Sequence, residues 1–306
     1  MTSLKKTIVA DSCLLFVAFI WGATFVIVQN AIQLLPPNLF NGIRFFIATL
    51  ILMIFMRKKS HTLFSFQLLK SGISLGFFLF LGYGLQTVGL LYTTSSKSSF
   101  ITGLSVMIVP LLSIWLLREK PKFVIFLGSI IGAAGLYFLT VGDIENMNIG
   151  DVLTLLCAVA FALHIILTSK YSGKHKTLPL TIAQLGTVSI FSFISSFLFE
   201  RSTQFSFTNI FNKEVIIALT ITSIFATALA FFIQTTFQKH TSAARVALIF
   251  AMEPVFAAIT AYVVIDERLT QNGLIGCIFI FLAMIVTDLP DFKKIKGFLI
   301  KHKPSM

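Results

Sequence analysis

The residues able to do chemistry here are a few polar side chains set inside long apolar runs. Glu253 lies at the middle of the run 243–265 and is followed by Pro254. An ionised carboxylate at that depth in a bilayer costs roughly 2.5–3.5 kcal/mol unless it is paired, protonated or facing water. Pro254 has no backbone N–H and should free the Phe250 carbonyl for other partners. A carboxyl group beside loosened backbone could carry a proton or grip an ammonium group. It could equally form a fixed ion pair or a hydrogen bond between helices. Arg44, inside the run 38–56, keeps its charge in proteins, so it must pair or line a wet cavity. Both a two-point grip on a substrate carboxylate and a packing clamp, to Glu253 or to backbone, fit that requirement.

Other polar groups sit at helical spacing. His164 in "FALHIIL" could relay protons near neutral pH or be a satisfied packing residue. Tyr83 precedes Gln86 by three positions and shares its helical face, as Trp21 does with Thr24. Gln86 and its counterpart Gln234 suit either substrate contacts or interhelical hydrogen bonds, which average about 0.6 kcal/mol. Pro110 and Pro254, near the middle of their runs, are candidate helix breaks of the kind that mark binding regions in repeat transporters. Gly128, Gly132 and Gly135 offer a face for close helix contact. The three cysteines fall in separate apolar runs without a C-x-x-C pair, and the five histidines have no metal spacing. No metal and no cofactor is expected. H-E-x-x-H and paired carboxylates within one run are missing, which argues against an intramembrane enzyme. A membrane sensor or scaffold would need a soluble output region, and no tail exceeds 17 residues.

The elements that position these groups follow from composition. Of 306 residues, 56% are hydrophobic and 12% charged, where a soluble domain carries about 25% charged. The chain therefore lacks the polar residues that would coat a soluble surface. Ten runs are long enough to span: 12–30, 38–56, 71–92, 97–117, 122–141, 150–171, 179–199, 214–237, 243–265 and 272–289. The weakest separations are between the third and fourth and between the eighth and ninth. With the N-terminus in the cytoplasm, 19 of the 24 Lys and Arg fall on the inside and four outside. That asymmetry predicts cytoplasmic termini in a plasma-membrane, multi-pass protein. The basic clusters, such as Arg57-Lys58-Lys59, serve topology; no face gathers them for nucleic acid.

The chain also resembles itself. A shift of 148 places Gln86-Thr87 on Gln234-Thr235, Thr93 on Thr241, Lys97 on Arg245, Glu119 on Glu267 and Gly128 on Gly276. A shift of 140 places Asp11 on Asp151 and aromatic Trp21 on Phe161. This predicts repeats at 1–141 and 150–290, five spans each, with 291–306 a basic cytoplasmic tail. An odd span count inverts the second repeat, as in many secondary transporters.

The sequence resembles the drug/metabolite transporter superfamily in its EamA-like branch. The likeness rests on "FIWGATFV", "NGIRFFIA", "GLQTVGLLYTTSSKSSFITGLSVMIVPLLSIWLLREKP", "FALHIILTSKY" and "MEPVFAAITAYVVIDERL", in that order across almost the whole chain. It implies an all-α fold of ten helices in two inverted repeats. It further implies movement, often export, of small organic metabolites such as amino acids. A cavity lined by spans 1, 3, 4, 6, 8 and 9 is expected partly on this basis. The expected partners are a small-molecule substrate, the lipid bilayer and protons, with the chain a monomer or homodimer. An uncoupled facilitator or a multidrug exporter is the alternative, although residues 12–30 hold no acidic residue of the sort a small cationic-drug exporter carries in its first span.

Overall fold

A long apolar segment in lipid must satisfy its own backbone, and helix is the local way to do so. The computed structural model describes residues 3–56, 64–118, 122–140, 148–201, 207–265 and 270–288, and among these residues there is no strand. The expected Glu119 and Glu267, the Arg57-Lys58-Lys59 cluster and the 291–306 tail lie outside the described residues. The first half contains α1 (Ser3–Ala31), α2 (Pro37–Ile54), α3 (Phe66–Gly89), α4 (Ser95–Gly103), α5 (Ser105–Leu116) and α6 (Phe123–Thr140). The second contains α7 (Ile149–Tyr171), α8 (Thr177–Phe199), α9 (Lys213–Ile221), α10 (Ala230–Phe237), α11 (Ala243–Phe250), α12 (Glu253–Ile265) and α13 (Gln271–Asp288). A π-helical stretch, Thr222–Leu229, joins α9 to α10.

Eight segments of the described chain are long and apolar enough to cross a membrane, against the ten expected. The other two expected spans appear as shorter apolar stretches, Phe123–Phe138 in α6 and Gln271–Val286 in α13. Each stretch of sixteen residues covers about 24 Å and lies in a helix of 18 residues, about 27 Å long, against a hydrocarbon core of about 30 Å. These two helices pack along each other. The small-residue face is what lets them do so, since a Cβ on Gly135 would lie 2.8 Å from the Gly276 carbonyl oxygen and from the Ile280 nitrogen. Phe138 and Phe279 close the seam edge to face at 5.6 Å.

The two doubtful separations are clean in the structure. Thr94 caps α4 by accepting from the Lys97 N–H, and Ser242 caps α11 by accepting from the Arg245 N–H. Spans 4 and 9 are interrupted, at Leu104 between α4 and α5 and at Ala251–Met252 between α11 and α12. In span 9 the break abuts Pro254, which cannot return an N–H to the Phe250 carbonyl. Span 4 differs from expectation: Pro110 lies inside α5, and the interruption follows Gly103 instead. Proline's fixed φ suits a helix even though its donor is missing, whereas glycine is a poor helix former wherever it sits.

Polarity is distributed as lipid demands. Large apolar side chains such as Ile54, Trp115, Phe197 and Val263 face outward, while Arg44, Gln86, Asp151, Gln184 and Gln234 are buried. α3 packs against α7 and α8, α2 against α8, and α1 against α12, so the two halves of the chain interleave. The α1–α12 approach depends on Gly22, where an added Cβ would stand 2.5 Å from the Glu253 carbonyl oxygen. The N-terminus of α2 has no side-chain cap of its own. Glu200, at the end of α8, supplies one: its carboxylate accepts from the Asn38 and Leu39 N–H groups at 2.7 and 3.1 Å and from the Asn38 amide at 2.9 Å. The carboxylate also opposes the positive end of the α2 dipole, anchoring the helix that carries Arg44.

Candidate functional site

Two adjoining cavities occupy the centre of the bundle. The larger encloses about 560 Å³ of open space and is lined by residues of spans 1, 3, 4, 6, 8 and 9, among them Trp21, Tyr83, Gln86, His164, Gln234 and Glu253. The smaller, about 350 Å³, shares Trp21, Tyr83, Gln86 and Glu253 and adds Thr24 and Arg44. The structure thus brings eight sequence-derived candidates to one region, together with Pro254.

Glu253 is the first residue of α12, in the first turn after the break. A carboxylate there gains from the partial positive charge of the helix end. It forms neither an ion pair nor a hydrogen bond with any described residue. The proposed Arg44–Glu253 clamp is therefore absent. Arg44 is held by span 8 instead: Nε donates to the Thr227 hydroxyl at 2.6 Å and Nη2 to the Ala226 carbonyl at 3.4 Å. Its guanidinium carbon stands 4.9 Å from the Tyr83 ring centre and 5.5 Å from that of Phe45. A guanidinium has five N–H donors, so donors remain for a ligand.

The π stretch explains why span 8 can receive Arg44. Its Ala226 carbonyl also accepts the Trp21 indole N–H at 2.9 Å. π turns occur frequently at functional sites, and this one orients both a cation and an aromatic wall. Trp21 in turn packs on Phe231 and Phe250, at 5.4 and 4.9 Å. Tyr83 meets Phe45, Phe161 and Phe231 edge to face. The Thr24 hydroxyl donates back to its own helix, to the Ile20 and Trp21 carbonyls at 3.0 Å each, and so offers a ligand acceptor lone pairs alone.

The two glutamines differ although the shift of 148 pairs them. Gln86 donates to the Thr102 hydroxyl at 3.1 Å, tying span 3 to span 4. Phe250 stands at the position matching Thr102, so Gln234 has no hydroxyl opposite it. Its nitrogen donates to Gln238 at 3.1 Å, and its carbonyl oxygen is buried without a hydrogen-bond partner among the described residues. His164 is a packing and network residue as well as a lining one. Its Nε2 meets the Gln184 carbonyl oxygen at 3.1 Å, Gln184 donates to Thr235 at 3.0 Å, and the ring packs on Phe231.

Sequence reasoning did not single out Phe231, the Phe250 ring, Thr227 or Gln184. The three neighbours of the cavity among these are ordinary lipid-span residue types. Gln184 was detectable as an amide inside the run 179–199. No group of three or more His, Cys, Asp or Glu able to hold a metal occurs among the described residues.

Comparison with known proteins agrees with this architecture. An uncharacterized transporter of Archaeoglobus fulgidus is 34% identical over 93% of this chain and 87% of its own length. The uncharacterized transporters YvbV and YoaV of Bacillus subtilis are 28% and 25% identical, covering 94% and 86% of this chain and 92% and 91% of their own. A solved crystal structure shares the fold with a TM-score of 0.74 at 16% identity, over 93% of this chain and 98% of the other. The model of the EamA-like transporter family matches twice, at residues 8–141 and 148–287. The chain, a multi-pass membrane protein, belongs to the EamA-like transporter family.

Proposed function

We propose that the protein is a secondary transporter of small zwitterionic metabolites, amino acids being the simplest case, working by alternating access as an exporter or exchanger. The carrying observation is that Glu253 and Arg44 line one cavity while neither neutralises the other. A mobile ligand with an ammonium and a carboxylate group would neutralise both buried charges at once. Gln234 adds an unpaired carbonyl oxygen for the ammonium end, and the Trp21–Phe231–Phe250 wall suits an apolar side chain. A single-charge ligand would leave one intramembrane charge uncompensated, which is expensive.

The proposed frame is ten spans in two inverted repeats, 1–141 and 150–290, with both termini in the cytoplasm and the protein in the plasma membrane. Its support is that corresponding features recur 148 positions apart. These are the caps Thr94 and Ser242, the helix starts Ser95 and Ala243, and the interruptions at Leu104 and Met252. Broken helices meeting at the midplane are where repeat transporters hold substrate.

The test is counterflow into liposomes containing the purified protein, comparing amino acids with the matching amines and carboxylic acids. Exchange of the zwitterion should exceed that of either analogue at least tenfold, and Glu253→Gln or Arg44→Lys should remove that preference. Equal exchange of all three classes would sink the reading. An imposed proton gradient then separates a coupled carrier from a facilitator.

A further inference from the structure

Two ion pairs join the halves of the chain, and both link the same kinds of element. Lys97 Nζ lies 2.7 Å from Asp151 Oδ2, connecting α4 of the first half to α7 of the second. Arg245 Nη2 lies 2.6 Å from Asp11 Oδ2, connecting α11 of the second half to α1 of the first. In each case the basic residue is the third of the leading segment of a broken span, and the acid belongs to the other half's first helix, as the third residue of α7 or the ninth of α1. The shifts of 148 and 140 carry one pair onto the other.

The pairs stand at opposite ends of the bundle. Lys97 shares a cavity with Gln29 and Gln33 beyond the far end of α1, while Asp11 and Arg245 share one with Ile8 near its beginning. From Asp11 to Gln29 the helix rises about 27 Å. The Glu253 and Arg44 cavity lies between, because each basic residue is followed eight positions later by the first residue beyond the helix break, Ser105 or Glu253.

We propose that Lys97–Asp151 and Arg245–Asp11 are the outer and inner gates of the transporter, latches that open alternately to expose the central cavity. This rests on the inverted-repeat reading above. The chemistry suits a reversible latch. A capping box places Glu or Gln at the third helical position, and the helix end is partially positive there. A cation at that position is repelled by its own helix and is held by the acid across the seam. Parting the pair into water rehydrates both charges, which offsets much of the lost attraction.

The two latches are caught in different conditions. At the outer one the side chains are 8% and 0% exposed. Asp151 there also accepts from the Thr93 hydroxyl at 2.8 Å and the Asn148 N–H at 2.9 Å. At the inner one the side chains are 26% and 18% exposed. The hydroxyl of Thr241, the counterpart of Thr93, has no hydrogen-bond partner there among the described residues. The outer pair is the more deeply buried, and the inner pair stands closer to water.

The test uses the full chain with its three cysteines replaced by serine and a reporter Ser105→Cys in the cavity, probed with a membrane-impermeant thiol reagent from either face of the vesicle. Lys97→Gln and Asp151→Asn should each raise outer-face labelling at least fivefold, and Arg245→Gln and Asp11→Asn should each raise inner-face labelling to the same degree. The exchange of Lys97→Asp with Asp151→Lys should restore the parental pattern. Four single variants guard against the loss of any one to misfolding. Labelling that rises from the same face for both pairs, or for neither, overturns the gates. Loop tagging in the same vesicles separates this from failure of the underlying frame. Inverted tags with unsplit labelling reject the latches alone, and same-sense tags reject the repeat reading itself.

Discussion

At the scale of single residues, the site is defined by polar groups that internal partners leave over. Gln86 and Gln234 make the contrast measurable, since one spends its amide nitrogen on Thr102 and the other keeps an unpaired carbonyl oxygen. A hydrogen bond to a charged group is worth about 1.5–3 kcal/mol, so Gln234→Leu should raise the KM for a zwitterion about tenfold or more. Gln86→Leu should instead act mainly on stability, by about 1 kcal/mol for the lost tie to span 4. Liposome kinetics and thermal unfolding in detergent, run on both variants, check the split. His164 belongs to the packing side of the ledger, because its ring nitrogen is already bound to Gln184.

Among the elements, close backbone contact decides where the carboxylate stands. Gly22 lets α1 reach the broken start of α12, and Glu253 projects from that start. Gly22→Ala would drive a Cβ to 2.5 Å from the Glu253 carbonyl oxygen and 2.9 Å from the Ala257 nitrogen. Overpacking of that sort costs about 1–3 kcal/mol. The variant should melt earlier and transport poorly, while Gly173→Ala, with nothing within 4 Å of its added Cβ, should match the parent in both assays. The π stretch in span 8 is the second deciding element. It has no counterpart at 74–81, where α3 is regular, and it supplies the carbonyl that orients Trp21 and Arg44.

For the whole molecule, the proposed sidedness has a direct check. Asn209 donates to the Leu34 carbonyl at 3.0 Å, so the loops after α1 and α8 share one end of the bundle. His175 contacts Ser71 at 3.0 Å, so the loop after α7 lies beside the early turns of α3. In a cysteine-free background, Gln33→Cys and Asn209→Cys should react with impermeant reagent from outside the cell, and Lys174→Cys and Lys239→Cys only after permeabilisation. Labelling of Gln33→Cys and Lys174→Cys from the same face would remove the ten-span, inverted arrangement.

Much of the architecture was legible in the chain because lipid simplifies the problem. A run without polar side chains must be helical, and a polar match at a constant shift stands out against an apolar background. Most of the apolar runs and the family were readable that way, as were Trp21, Tyr83, Gln86, Gln234 and Glu253 as polar or aromatic groups set inside those runs. Partnership was not readable. Whether Arg44 meets Glu253 or Thr227, whether span 4 breaks at Pro110 or after Gly103, and whether Lys97 faces solvent or Asp151 all depend on which helices become neighbours. Pattern along one strand of sequence determines the elements and which faces are polar. The distances that would turn those faces into the proposed binding site and latches arise from packing between segments far apart in the sequence, and the tertiary structure alone decides them.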